Sequence, residues 1–190
     1  LSQTIYRLLE YYQISLNVKH ARKNRQLVAI MFTDIVGYSS LMQQNESAAA
    51  AVRARHRDVF EKEHEKHQGK ILQYFGDGTL SVFKSAVEAV SCAVAMQKKF
   101  QSGDSLPVRI GIDVGDVVFD KTEIYGDGVN TASRIENLGV AGSVLISEKV
   151  NEELTSHPEI NTLSLGAFEF KNIQFPIEVF AVRDTGIMLP

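Results

Sequence analysis

Two acids carry the strongest chemical suggestion in the sequence. Asp34 follows the apolar run Leu27-Val28-Ala29-Ile30-Met31-Phe32, one residue beyond Thr33. Asp77 sits in Gly76-Asp77-Gly78, between the short runs 70–75 and 79–83. Neighbouring strands lie about 5 Å apart, so if the first run pairs with that hairpin both carboxylates can face one point. Two carboxylates with few basic neighbours make a hard-oxygen site of the kind that Mg²⁺ or Mn²⁺ takes. Two such ions about 4 Å apart can hold the attacking and leaving oxygens of a phosphoryl transfer. Past Asp34, Gly37 opens a short helix whose free N–H groups can meet phosphate oxygens. Spacing alone leaves plainer readings open, because Gly-Asp-Gly is also an ordinary hairpin turn and an acid after a strand often caps a helix.

Other chemistry is excluded or unsupported. The 190 residues include 20 Lys plus Arg and 23 Asp plus Glu, a net charge of −3. A chain held mainly by nucleic-acid phosphates would be basic, so no nucleic-acid partner is expected. Cys92 is the single cysteine, which rules out an intrachain disulfide and fits a reducing compartment. Its apolar neighbours make it a small buried hydrophobe. The sequence lacks a G-x-x-x-x-G-K-[ST] phosphate loop, a dinucleotide G-x-G-x-x-G and a G-x-S-x-G nucleophile elbow. His64-Glu65-Lys66-His67 is one residue short of H-E-x-x-H. With His56, these histidines lie on a charged helical stretch and are expected at the surface.

The elements that must place these residues follow from periodicity. Leu27 to Phe32 reads as a strand buried on both faces. Segment 37–43 reads as a short helix, and 47–67 as a polar, alanine-rich one closed by Gly69. The two runs around Asp77 form a hairpin, and 85–100 a helix with a broad apolar face. Segment 107–119 is a strand pair or one long strand, with Gly111 and Gly115 marking close packing or bends. A Gly-rich turn at 125–128 leads into a helix reaching Leu138, and short strands follow around 143–146, 163–170 and 177–182. The order β, α, α, β, β, α, β, α, β predicts an α+β sandwich with a mixed, mainly antiparallel sheet and helices on one side. At 44% hydrophobic residues the chain can fill such a core.

Residues 1–26 differ in character. Leu1, Ile5, Leu8 and Tyr12 recur at coiled-coil steps, and a basic run follows at Lys19, His20, Arg22, Lys23 and Arg25. This predicts an amphipathic helix ahead of a folded domain at 27–190, either simply solvated or a connector coupling that domain to an upstream sensor or membrane module. A cytoplasmic juxtamembrane segment would be basic in the same way. The first residue is Leu1, so the chain is expected to be an internal piece of a longer protein, a cytoplasmic part of a possibly membrane-anchored one.

Three blocks in fixed order carry a resemblance. Phe32-Thr33-Asp34-Ile35-Val36-Gly37-Tyr38-Ser39 resembles the first metal-binding motif of class III nucleotidyl cyclases. Gly76-Asp77-Gly78-Thr79-Leu80 resembles the second. Asn130-Thr131-Ala132-Ser133-Arg134 resembles the transition-state motif. The resemblance implies a ferredoxin-like α/β domain acting as a head-to-tail homodimer, converting ATP or GTP to a 3′,5′-cyclic nucleotide and pyrophosphate. Asp34 and Asp77, with the Ile35 carbonyl, would bind two Mg²⁺ or Mn²⁺ ions. Gly37, Tyr38 and Ser39 would lie against the substrate. Asn130 would orient the ribose, Arg134 would stabilise charge on the α-phosphoryl group, and Lys171 would contact the terminal phosphates. The metal pair on one subunit and the Asn and Arg on the other would complete each site.

The base-reading pair departs from the family's usual residues. Gln73 stands where adenylate cyclases usually have Lys, and Glu123 where they usually have Asp or Thr. A Gln73 N–H could serve adenine N1 and the Glu123 carboxylate could accept from N6, a donor-then-acceptor order that favours ATP. The Gln amide carries both donors and an acceptor, which keeps GTP as the alternative substrate. A catalytically silent, nucleotide-binding relative is the remaining alternative.

Overall fold

Valine, isoleucine and phenylalanine crowd the two longest apolar runs, and both become central strands. The computed structural model describes residues 24–119 and 124–190, so the expected connector helix and Glu123 lie outside the described residues. β1 (Asn24–Ile35) pairs antiparallel with β4 (Val108–Phe119), from Asn24 opposite Phe119 to Ile35 opposite Val108. The strand thus begins three residues before Leu27, inside the segment expected to be connector. Arg25 and Gln26 are polar and exposed, and hydropathy cannot register a pairing made by backbone alone.

β2 (Lys70–Phe75) and β3 (Gly78–Phe83) form the expected hairpin. β5 (Ile124–Tyr125) folds back on the end of β4. β6 (Val144–Ser147), β7 (Asn161–Phe168) and β8 (Ile177–Arg183) complete the sheet in the order β2-β3-β1-β4-β6-β8-β7. Every pairing is antiparallel except β4 with β6. The helices are α1 (Tyr38–Gln44), α2 (Glu46–Lys66), α3 (Ala86–Phe100), α4 (Asp127–Leu138) and α5 (Glu148–Glu153). The unit β1-α2-β2-β3-α3-β4, with its strands ordered 2-3-1-4, is the ferredoxin-like arrangement. Asn45 starts α2, its side chain accepting from Ala48 N at 3.0 Å. The short β5 and the one-turn-and-a-half α5 carry too little periodicity to read in the sequence.

Alternation along β1 and β4 divides the core. Ala29, Met31, Ile35, Ile110, Ile112 and Val114 face α2 and α3, where Phe60, Phe83, Met96 and Phe100 are fully enclosed. Val28, Ile30, Leu80 and Val117 face the other way, against Ala132 of α4. Helices on one side only is therefore corrected: α4 covers the opposite face. Gly111 and Gly115 make this possible. A Cβ at Gly111 would stand 2.7 Å from Ala132 O, and one at Gly115 2.8 Å from Gly128 Cα, both backbone atoms that cannot give way. These glycines mark close packing and not a break, and β4 runs through them unbroken.

The histidines are corrected too. His56 and His64 are each only 1% exposed. The His56 ring stacks between Phe60 and Phe100, at 5.5 and 5.4 Å between centroids. Their polar neighbours in sequence hide that α2 turns this face inward. His67 alone is part-exposed, with Nδ1 3.0 Å from Glu88 Oε2. Burial holds both inner imidazoles well below their usual value of 6.5, to about 4. They contribute stability in full above pH 6.5, where both folded and unfolded chains keep them neutral, and lose it as pH falls toward 4. Thermal melts should show Tm declining across that window, and His56→Phe should decline less steeply. Parallel declines would contradict this account.

Candidate active site

Asp34 lies near the end of β1 and Asp77 in the β2–β3 turn, and the ladder sets these places side by side. Thr33 pairs with Thr79, and a Cβ on Gly78 would lie 3.9 Å from Asp34 Oδ1. The two carboxyls feel each other. Burial above all pushes the Asp77 carboxyl up, its own backbone N–H opposes this, and the Asp34 charge raises it further. The turn reverses tightly because Gly76 takes φ 62°, a conformation glycine adopts without strain.

Arg109 was not singled out by the sequence reading. It stands opposite Asp34 in the β1–β4 ladder and donates to Asp34 Oδ2 through Nη2 at 2.9 Å and Nε at 3.2 Å. Nη2 also reaches Asn137 Oδ1 at 3.3 Å. Its Nε also forms an ion pair with Glu136 Oε1 on α4, 2.5 Å away. Burial raises Glu136 to about 7, with Arg109 opposing and Asp34 and Asp77 adding to the rise. The corner therefore holds three carboxyl groups and one guanidinium. A cation inside the apolar strand Val108-Arg109-Ile110 was the available signal, since a charge there needs a partner.

The donor set suits a hard divalent ion. Two carboxylates converge where burial and the Asp34 charge disfavour the charged form of Asp77, which is what a cation relieves. Among the described residues no group of three or more His, Cys, Asp or Glu side chains forms a cage. An ion held by Asp34 and Asp77 would draw its remaining ligands from backbone, water or phosphate, as Mg²⁺ commonly does.

The other expected residues fall in separate places. Ile35 is buried, Gly37 has φ 79°, Tyr38 is 6% exposed and Ser39 is open to solvent at the start of α1. Gln73 is exposed on β2. Tyr74 beside it turns to α2, its hydroxyl donating to Glu61 at 2.9 Å with Arg57 4.4 Å over its ring. Asp127 is the first helical residue of α4, after Gly126. Asn130 and Arg134 lie one turn apart on α4. Asn130 lines a 440 Å³ cavity with Asp113, Ser147 and the 172–177 loop, a cavity that includes neither Asp34 nor Asp77. Lys171 is exposed at the head of that loop.

Residues 20–183 match the family model of the adenylate and guanylate cyclase catalytic domain, and the chain belongs to that family. It is 37% identical over 164 residues to putative adenylate cyclase 3 of Rhizobium meliloti, covering 82% of this chain and 28% of that protein. Adenylate cyclase 1 of the same organism is 29% identical over 66% of this chain and 23% of its own length. The chain thus spans under a third of these relatives. Among solved structures, the adenylyl cyclase CyaB from P. aeruginosa superposes with a TM-score of 0.75 at 26% identity, over 85% of this chain and 95% of that one. An adenylate/guanylate cyclase/hydrolase from Silicibacter pomeroyi does so at 0.74 and 30%, over 84% and 97%. No helix among the described residues is long and apolar enough to cross a membrane.

Removing Arg109 tests the corner directly. Arg109→Ala leaves three carboxyl groups without their counter-charge, so its Tm loss should be larger at pH 8 than at pH 5. Adding Mn²⁺ at pH 8 should recover much of that loss, as ligand binding to the folded state does. An equal loss at both pH values, unaffected by Mn²⁺, would contradict a charge-driven site.

Proposed function

We propose that this chain is an adenylate cyclase domain that makes 3′,5′-cyclic AMP and pyrophosphate from ATP, at sites shared between two copies. The observation that carries the proposal is the convergence of Asp34 and Asp77 on one corner while Asn130 opens onto a different cavity. One chain then holds two half-sites, and a head-to-tail homodimer supplies two whole ones. The family generally uses divalent metals, and Asp34, Asp77 and the Ile35 carbonyl would hold them. Bound there, two Mg²⁺ or Mn²⁺ ions would make the ribose 3′-OH easier to deprotonate and neutralise the triphosphate.

The chain's own groups do the positioning. Asn130 of one copy fixes the ribose, and Arg134, one turn further along α4, meets charge gathering on the α-phosphoryl group. Arg109 would give up one of its partners if Asp34 held a cation, and its guanidinium, still beside Glu136, could then meet phosphate oxygens next to that carboxylate. The backbone of Gly37, Tyr38 and Ser39 borders the same end of β1, and Lys171 approaches the terminal phosphates from the β7–β8 loop. Gln73 donates to adenine N1 while Glu123 accepts from N6. Holding the nucleophile in line and compensating charge account for most of the rate in such transfers.

Adenine is favoured by that donor–acceptor order and supported by relatives named as adenylate cyclases. Further modules in the full-length protein are supported by how little of those relatives this chain spans.

The test uses purified protein with Mn²⁺ and either ATP or GTP. Cyclic AMP should form, with cyclic GMP much slower. Asp77→Ala and Arg134→Ala should each lose at least about a hundredfold in activity, the scale of removing one charge-stabilising group. Mixed together they should recover a substantial fraction, because a heterodimer keeps one intact site. Heterodimers that form without recovering activity would contradict the shared site.

A further inference from the structure

Behind the acid corner, on the opposite face of the sheet, lies a buried polar chain that nothing above uses. Thr33 Oγ1 and Thr79 Oγ1 are 2.5 Å apart, and His56 Nε2 is 3.4 Å from Thr33 Oγ1. All three side chains are 1% exposed. Thr33 immediately precedes Asp34, and Thr79 comes two residues after Asp77. They face each other across the β1–β3 ladder, the last pair of its register. Because side chains alternate along a strand, Thr33 points into the α2–α3 core while Asp34 points the other way. A second contact of the same kind lies further along, where His64 Nε2 meets Ser81 Oγ at 2.8 Å. There Nδ1 faces the Phe60 carbonyl at 2.8 Å and must be the donor, which leaves Nε2 to accept from Ser81.

Three polar side chains inside an apolar core cost free energy unless each is hydrogen-bonded. An apolar trio would fill the same space, so simple packing does not explain their presence. What they add is a directional tie. The Thr33–Thr79 hydrogen bond fixes the lateral spacing of β1 and β3 where Asp34 and Asp77 leave the sheet. His56 anchors the pair to α2, and its own ring is fixed by stacking at 8° to Phe100 and 20° to Phe60. Asp34 and Asp77 repel, and the turn carrying Asp77 lies just beyond the last β1–β3 pair, Thr33 with Thr79. Without the tie, the easiest relaxation is for the turn to swing from the end of β1.

We propose that His56, acting through Thr33 and Thr79, is a positioning residue that sets the spacing of Asp34 and Asp77 for divalent-cation binding. This rests on the reading of those two acids as the metal site. Outer partners of metal ligands typically tune affinity about 10- to 100-fold, and this trio works through backbone, one step further out.

The experiment measures Mn²⁺ binding to the purified protein by the EPR signal of free Mn²⁺, alongside cyclase activity and Tm. His56→Phe keeps the stacked ring without its nitrogen, and Thr79→Val keeps the shape without the hydroxyl. Each should weaken Mn²⁺ binding about five- to tenfold and raise the Mn²⁺ needed for half-maximal rate by a similar factor, while kcat at saturating Mn²⁺ changes by less than about threefold. Thr79→Ser, which restores the hydroxyl, should return binding to within about twofold of the starting protein. If His56→Phe does not fold, the Thr79→Val and Thr79→Ser pair decides alone. A lowered Tm with unchanged Mn²⁺ affinity would make the trio structural only and overturn the proposal. Asp34→Ala is the separate control. If it binds Mn²⁺ as before, the metal-site reading itself fails, whatever the His56 and Thr79 variants do.

Discussion

Two carboxylates placed side by side repel, and partial burial makes that repulsion stronger. The protein nonetheless holds Asp34 and Asp77 together, because the strands that carry them are fixed independently of the acids. β1 is locked to β4 over its whole length and to β3 over five residue pairs, so Asp34 cannot withdraw without breaking the centre of the sheet. Arg109, delivered by the same ladder, balances the charge with two hydrogen bonds to Asp34. The outcome is a corner of three carboxyl groups whose charges one guanidinium only partly compensates.

The opposite faces of the sheet serve this corner differently. On one face, Gly111 and Gly115 let α4 approach the backbone of β4, which brings Glu136 and Asn137 to Arg109. The same helix carries Asn130 six residues earlier, about 9 Å back along its axis, toward the cavity beside the 172–177 loop. α4 therefore adds to the charge balance beside Asp34 and also presents Asn130 to that cavity. On the second face, α2 and α3 enclose the main apolar core, and α2 sends His56 and His64 to hydroxyls of β1 and β3.

Much of this was legible in the sequence where backbone pattern and chemistry coincide. The apolar run leading to Asp34 and the Gly-Asp-Gly turn marked the two acids of the candidate site, the alternation of runs gave an α+β sandwich, and the resemblance supplied its ferredoxin-like order. Gly111 and Gly115 were recognisable as positions of close approach, although not which helix approaches. What stayed hidden depends on three-dimensional partners. Arg109 sits in a strand pattern that says only that a cation is present, and Glu136 becomes unusual only when α4 packs it against that cation. His56 and His64 belong to a helix so rich in charge that its inward face has no hydropathy signature. Asn24 to Gln26 join the sheet through backbone hydrogen bonds, which composition does not encode.

The central claim is that the Asp34–Asp77 corner of one copy and the Asn130–Arg134 face of another close on the same metal-bound nucleotide. The most direct measurement is a crystal structure of the protein with Mn²⁺ and a slowly reacting ATP analogue, with manganese located by its anomalous scattering. The account predicts anomalous peaks between the Asp34 and Asp77 carboxylates, Arg109 turned from Asp34 toward phosphate, and Asn130 and Arg134 of a second copy against the ribose and α-phosphate. Manganese bound elsewhere, with Arg109 still paired to Asp34, would contradict it.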